Sequence, residues 1–277
     1  MAPRGKVSAW RALARLAALA AVALAQSPAV AQPDPALASA VASPARSPRN
    51  VMRDRYRHPL EVLSFFGVRP GDTVVEILPG SGAYYMEILA PYLRERGRYI
   101  AANRDESAPP RYLEDHIKML AKIAANPDTL GKVVVTKFNA DRHEIAPPGS
   151  ADFVLTFRNL HNWIERSEID RALRAFHRAL KPGGILGVVD HRGRTDRPQD
   201  YQMKSGYVRE DYAISVIERA GFTLAGKSEA NANPRDTKDH PEGVWTLPPA
   251  LRLKGRDREK YLAIGESDRF TLKFVKR

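Results

Sequence analysis

The chain has 277 residues, no cysteine, and 44 Lys+Arg against 32 Asp+Glu, a formal charge of +12. Hydrophobic residues at 43% and charged residues at 27% are the balance of a soluble globular protein, which excludes collagen-like, disulfide-scaffold and wholly disordered chains. The lack of cysteine removes disulfides, thiolate nucleophiles and cysteine metal ligands, and a single apolar run near the N-terminus excludes a multi-span membrane protein.

That run opens the chain. Arg4, Lys6, Arg11 and Arg15 form a basic leader without acidic residues, followed by an Ala/Leu/Val-rich stretch from Leu16 to Ala25 that is short for a membrane span. Ala29-Val30-Ala31 has the small-x-small pattern of a signal-peptidase site, so residues 1–31 are expected to be a secretory signal peptide. An uncleaved amphipathic anchor is the alternative. No twin-arginine pair is present, which favours the general secretory route and a periplasmic or secreted product. Residues 32–50 are rich in Pro, Ala and Ser and read as a flexible linker. Residues 51–277 are expected to form one domain.

Within that domain, Thr73–Ile77 is a β-branched run after the turn signal Pro70-Gly71-Asp72. A helix is predicted from Ala83 to Leu93, ended or kinked at Pro91, and a strand from Arg98 to Ala102. The next helix is expected to be capped by Ser107 and to bury Leu113, Ile117, Leu120 and Ala124. Strands follow at Val133–Lys137 and Ala151–Phe157. Ser167 opens a helix with the stripe Ile169, Leu173, Phe176 and Leu180, stopped by Pro182-Gly183-Gly184. A strand at Ile185–Asp190, a helix at Val208–Ala220, and strands at Thr223–Ala230 and Arg269–Val275 complete the pattern. The Pro-rich excursion from Asn231 to Ser267 has little periodicity and reads as a functional loop or lid. Strands alternating with helices imply right-handed crossovers and a mostly parallel sheet covered on both faces.

In such sheets ligands bind beyond the C-terminal strand ends, where the strand order reverses. The first strand runs through Glu76-Ile77-Leu78-Pro79-Gly80-Ser81-Gly82 into a helix, and Gly80 and Gly82 allow a tight turn and close backbone approach. A nucleotide-triphosphate loop would need a Lys-Ser/Thr pair, and a dinucleotide fingerprint would need glycine at Tyr85; neither is present.

Glu76 to Gly82 resembles the first motif, (D/E)-x-G-x-G-x-G, of the class I S-adenosylmethionine-dependent methyltransferases. The later segments are similar to that family in their order: Arg98 to Asn103, Asn139-Ala140-Asp141, Ala151-Asp152-Phe153-Val154-Leu155, Leu180-Lys181-Pro182-Gly183-Gly184 and Arg219-Ala220-Gly221-Phe222. The narrower pattern of Pro79-Gly80-Ser81-Gly82, Phe157 to Trp163 and Ser267-Asp268-Arg269-Phe270 resembles an exported group of bacterial methyltransferases. The resemblance implies a Rossmann-like, mostly parallel seven-stranded α/β sheet with helices on both faces, and S-adenosyl-L-methionine as cofactor. It places Glu76, Gly80, Ser81 and Gly82 along the methionine and ribose, Asn103 at the ribose, Asp141 at the adenine, and Arg158 with Asn159 beside the cofactor. The chain departs from the pattern where Leu78 stands for the first Gly and where Asn103 stands for a carboxylate, with Asp105 as a substitute.

An oxygen or nitrogen acceptor needs a base, and His161 and His191, each just beyond a strand end, are the catalytic candidates. His143 lies on the same predicted edge, but no ligand-type spacing joins the three histidines and no metal site is expected. Trp163 either stacks on a ligand ring or packs under a loop. The mixed-sign clusters Arg53-Asp54-Arg55-Tyr56-Arg57 and Arg252 to Lys260 read as solvated faces, and nucleic acid is not an expected partner. The expected activity is methyl transfer to a small molecule. The alternatives are an exported binding module that kept the fold without catalysis and, on fold analogy alone, a nicotinamide oxidoreductase.

Overall fold

The computed structural model describes residues 34–139 and 142–277. The expected signal peptide and Asp141 lie outside the described residues. Helices α1 (Pro35–Val41), α2 (Pro48–Val51), α3 (Asp54–Arg57) and α4 (Pro59–Phe66) lead into β1 (Thr73–Ile77). Then come α5 (Met86–Leu93), β2 (Arg98–Asn103), α6 (Pro110–Ala125), α7 (Pro127–Leu130) and β3 (Val134–Phe138). A two-residue β4 (His143–Glu144) precedes β5 (Ala151–Phe157), α8 (Leu160–Glu165), α9 (Ile169–Ala179) and β6 (Leu180–His191). The chain closes with α10 (Glu210–Arg219), β7 (Phe222–Ser228), a 3-10 turn at Gly243–Thr246, α11 (Arg258–Ile264) and β8 (Arg269–Lys276).

The strands form one sheet in the order β4-β3-β2-β1-β5-β6-β8-β7. It has eight strands rather than the expected seven because Lys137 and Phe138 pair antiparallel with Glu144 and His143. The pairs from β3 through β6 are parallel, and β8 runs antiparallel between β6 and β7. Alternation along each strand feeds two cores. Val75, Ile77, Ile100 and Val188 join α8, α9 and α10 on one face, while Val74, Ala101, Leu155 and Val189 join α1, α4 and α5 on the other. Gly187 permits the second packing, since a Cβ there would lie 2.6 Å from Leu155 and 3.0 Å from the Phe66 ring.

Three expectations are corrected. Of the expected linker 32–50, the described residues 34–50 are folded: Asp34 caps α1 through Ala36 N at 2.8 Å, Leu37 is buried, and Tyr92 Oη donates to Asp34 at 2.7 Å. The folded unit therefore includes Asp34 and α1, ahead of Val51. Pro35 and Pro48 sit at the first helical positions, where proline starts a helix instead of breaking it. Second, α6 buries His116 and Met119, leaving Ile117 55% and Leu120 40% exposed. Its contact line is set by the polar end of β2, because Asn103 Nδ2 donates to Met119 Sδ at 3.1 Å. Ser107 does not cap that helix; its hydroxyl donates to Asp105. Third, α9 ends at Ala179, and Leu180 begins β6. The Pro182-Gly183-Gly184 run bulges out, so that Ala151 pairs with Leu180 but Phe153 already pairs with Ile185.

Candidate functional site

The strand order reverses at β1, which lies between β2 and β5, and the segments leaving β1 and β5 open a crevice beyond their C-terminal ends. The backbone there is unusual. Leu78 (φ 52°), Gly80 (φ 67°) and Arg158 (φ 61°) all occupy the left-handed region. Leu78 holds that conformation at a cost of about 1–2 kcal/mol, which glycine would avoid. It is fixed by Leu78 N donating to Ala102 O at 2.8 Å and by packing against the core. Arg158 N donates to Val189 O at 2.7 Å, and Asn159 Nδ2 reaches back to Ile77 O at 3.1 Å, tying the two strand ends together. The turn is anchored from the N-terminal helices, where Asn50 Nδ2 donates to Gly82 O at 2.9 Å and to Glu87 at 2.8 Å.

Two cavities share Leu78. The smaller, about 260 Å³, is lined by Arg104, Ser107, Tyr112, Asn139, His143 and Trp163 among others. Trp163 is almost wholly buried, edge-on to Phe138 at 5.5 Å and Phe176 at 5.4 Å, so it packs in the core and shows one side to this cavity. The larger, about 420 Å³, is floored by Gly80, Ser81, Gly82, Arg158 and Asn159. Its walls come from Arg49, Arg53 and Arg57 on one side and from Trp245, Pro248, Pro249 and Ser267 of the long excursion on the other. A Cβ added to Gly80 or Gly82 would meet no atom within 4 Å, so this backbone faces open space that a ligand can fill. The excursion is not structureless. It carries the 3-10 turn and α11, and buried Asp236 knots it by accepting from Tyr207 Oη at 2.8 Å and Asp268 N at 2.8 Å.

His161 and His191 both line the larger cavity, with ring centroids 5.3 Å apart. His161 Nδ1 is 2.9 Å from Asp190 Oδ1, and Asp190 is fully buried at the end of β6. Asp190 also accepts from His191 N at 2.7 Å and His161 N at 3.3 Å. Burial pushes the Asp190 carboxyl up, but the charge and hydrogen bond of His161 outweigh it and leave Asp190 below the usual carboxylate range. In the neutral His161 ring, Nδ1 facing the Asp190 carboxylate is the donor and Nε2 carries the lone pair. Burial drives His191 well below the usual imidazole range, so it is neutral near pH 7, with Nδ1 against Ser267 Oγ. The donor atoms of His161, Asp190 and His191 lie within 4.8 Å of one another and form a set that could hold a divalent cation. His143 is not part of it, lying instead at the smaller cavity.

The acidic and amide residues of the expected cofactor wall are placed differently. Glu76 is buried beneath the turn and accepts from Tyr99 Oη at 2.5 Å, and it lines neither cavity. Asn103 is likewise buried against Met119 and His116. Asp105 accepts from the Ser107 hydroxyl at 2.6 Å and from Asn139 at 2.5 Å, and these bonds hold it well below the usual carboxylate range. It therefore supports Asn139 and Ser107, which do face the smaller cavity.

Glu76 has a consequence for stability. Burial, opposed by the Tyr99 hydrogen bond, raises its carboxyl from 4.5 to about 7. The native state then holds this proton more tightly than the unfolded chain. The stability it contributes is complete below pH 4.5 and is lost as pH rises towards 7. Glu76→Gln cannot ionise, so the wild type should lose about 3 kcal/mol relative to the variant between pH 5 and 8. Urea unfolding at a series of pH values checks this; parallel pH profiles would contradict it.

Residues that the sequence did not single out complete the site. Asp190 hides in a buried strand, and its one local sign is the Asp-His pair at the strand end. Arg53 and Arg57, expected on a solvated face, instead line the larger cavity, and Arg57 is only 3% exposed.

Known proteins share this outline. Residues 112–188, from α6 into β6, match the methyltransferase domain family. The ubiquinone/menaquinone biosynthesis C-methyltransferase UbiE of Escherichia coli O1:K1 / APEC is 27% identical over 167 residues, 59% of this chain and 58% of that protein. UbiE of Shigella boydii serotype 18 matches equally, so the chain spans 58% of the length of these curated relatives. A SAM-dependent methyltransferase from Aquifex aeolicus superposes with a TM-score of 0.56 at 19% identity, over 84% of this chain and 95% of that one. The [4+2]-cyclase SpnF superposes at 0.52 and 19% identity, over 78% of each chain. The fold is that of the class I methyltransferases. A cyclase shares this fold, so the fold alone does not fix the chemistry.

Proposed function

We propose that the protein is an S-adenosylmethionine-dependent methyltransferase acting on a small molecule. The observation that carries this is the pair of cavities meeting at Leu78, at the reversal point of the sheet, over a glycine turn whose backbone faces open space. In this reading the smaller cavity takes the adenosine end, beside Asn139, with Asp141 following in the chain. The larger takes the methionine end along Gly80, Ser81 and Gly82, with Arg158 and Asn159 alongside, and leaves room for the acceptor. The methyltransferase-domain match and the UbiE C-methyltransferase relatives support methyl transfer as the reaction.

The cofactor supplies an already activated methyl group, so the chain has mainly to align the acceptor and exclude water. Trp245, Pro248 and Pro249 form the wall that excludes it. His161 Nε2 takes the acceptor proton, and Asp190 orients the ring and stabilises the imidazolium that results. Neutral His191 is placed to exchange a hydrogen bond with the acceptor. Native mass spectrometry of the purified chain should find retained S-adenosylmethionine or its demethylated product, and incubation with an acceptor should convert the first into the second. Retained cofactor that is never converted would favour the fold's use as a binding module.

Residues 1–31 are proposed to direct export to the periplasm or the medium. Cell fractionation with N-terminal sequencing is expected to find a mature chain starting at Gln32; a full-length cytoplasmic chain would contradict this.

A further inference from the structure

The larger cavity carries more positive charge than its own acids can balance. Arg49, Arg53, Arg57 and Arg158 line it, against Asp115 and Glu266. Asp115 is taken up by the Ser81 hydroxyl at 2.6 Å. Glu266 serves several guanidinium groups at once: Arg53 Nε at 2.6 Å, Arg269 Nη1 at 3.1 Å and Arg57 Nε at 3.5 Å. These arginines hold its carboxyl down at about 2 against the opposing effect of burial, so it stays ionised and its capacity is spent.

Among the described residues, the guanidinium groups of Arg57 and Arg158 lack a full partner. Arg57 is 3% exposed and clamped over the Tyr84 ring at 4.4 Å, and its Nη2 has no hydrogen-bond acceptor among the described residues. Arg158 makes no side-chain hydrogen bond or ion pair with the described residues. Burial and the neighbouring arginines lower it to about 9, the mark of a cation lacking a counter-ion. Buried guanidinium forks are shaped for planar or tetrahedral oxyanions, which they bind through paired N–H donors.

We propose that the methyl acceptor is an oxyanion, a small molecule bearing a carboxylate or phosphate that Arg57 and Arg158 bind while its reacting group faces His161. This deepens the methyltransferase reading and rests on it. The same chemistry has a second source in the amino-acid carboxylate of the cofactor, and the test separates the two.

Benzoate, inorganic phosphate and benzamide are titrated calorimetrically into the full chain saturated with S-adenosylhomocysteine. At least one of the two anions should bind that complex, and more weakly as salt is added, while benzamide does not bind. Arg158→Gln should lower the affinity of the S-adenosylhomocysteine-saturated chain for the anion tenfold or more. Arg53→Gln, at a partly exposed position, should also weaken the anion by freeing Glu266 to neutralise its neighbours. Anions that bind only without S-adenosylhomocysteine would assign the arginines to the cofactor and overturn the proposal. So would equal binding of benzamide, or unchanged anion affinity in both variants. Failure of S-adenosylhomocysteine itself to bind would instead overturn the methyltransferase reading, and the acceptor assignment with it.

Discussion

Asp190→Asn is expected to lower the rate of methyl transfer by about 10²–10⁴-fold, the usual worth of a positioned general base. An asparagine keeps the volume at the end of β6, but it can present its amide N–H to His161 Nδ1 and stabilise the wrong tautomer. It also removes the charge that offsets the developing imidazolium. Asp190 acts through His161, so the loss should fall on kcat, with KM and S-adenosylhomocysteine affinity little changed. His161→Ala should lose as much and recover part of its rate with added imidazole, for which the cavity has space. A coupled assay reading S-adenosylhomocysteine release, run with the best acceptor of a carboxylate and phosphate panel, measures both. Full activity in both variants would remove the base from the mechanism, whereas equal losses in kcat and cofactor affinity would point to a collapsed site.

Gly82→Leu should abolish cofactor binding, by at least about 50-fold or 2.3 kcal/mol, without unfolding the protein. Gly82 has no positive φ, and a Cβ there meets nothing within 4 Å, so the backbone accepts a side chain. The added isobutyl group then stands in the space over the turn. Gly80 makes a poorer test, because its φ of 67° would add strain to any substitution. Thermal unfolding should place Gly82→Leu close to the wild type, while calorimetry with S-adenosylhomocysteine shows little heat. Unimpaired binding would move the cofactor away from this turn.

Much of the scaffold is legible in the sequence because the strands at its centre are buried on both faces and show as short β-branched runs. Thr73–Ile77 and Ala151–Phe157 have the expected bounds, and the tight turn after the first lies where Gly80 and Gly82 demand it. Local patterns fail where a distant partner decides the outcome. The apolar stripe on α6 misleads because Asn103, sixteen residues upstream of Met119, draws the thioether inward. The helices before β1 are hidden by prolines that are breakers in a helix interior but starters at its first turn.

The site divides in the same way. Gly80, Ser81, Gly82, Arg158, Asn159, His161 and His191 come together around one cavity, since each sits at or just beyond a strand end and the parallel sheet aligns those ends. Glu76 and Asn103 point into packed surroundings instead, which side-chain order along a strand does not reveal without the registry of its neighbours. Asp190 meets His161 across 29 positions, and Arg53 meets Glu266 across 213. Pairs so far apart leave no periodic trace. The mixed signs around Arg57 therefore read as a wet surface, although its guanidinium is buried over the Tyr84 ring.

Calorimetric titration of S-adenosylhomocysteine into the purified chain decides whether the glycine turn holds the cofactor. One site per chain with micromolar affinity is expected, lost in Gly82→Leu and kept in Asp190→Asn. No heat of binding at millimolar ligand, or binding that Gly82→Leu leaves intact, would contradict it.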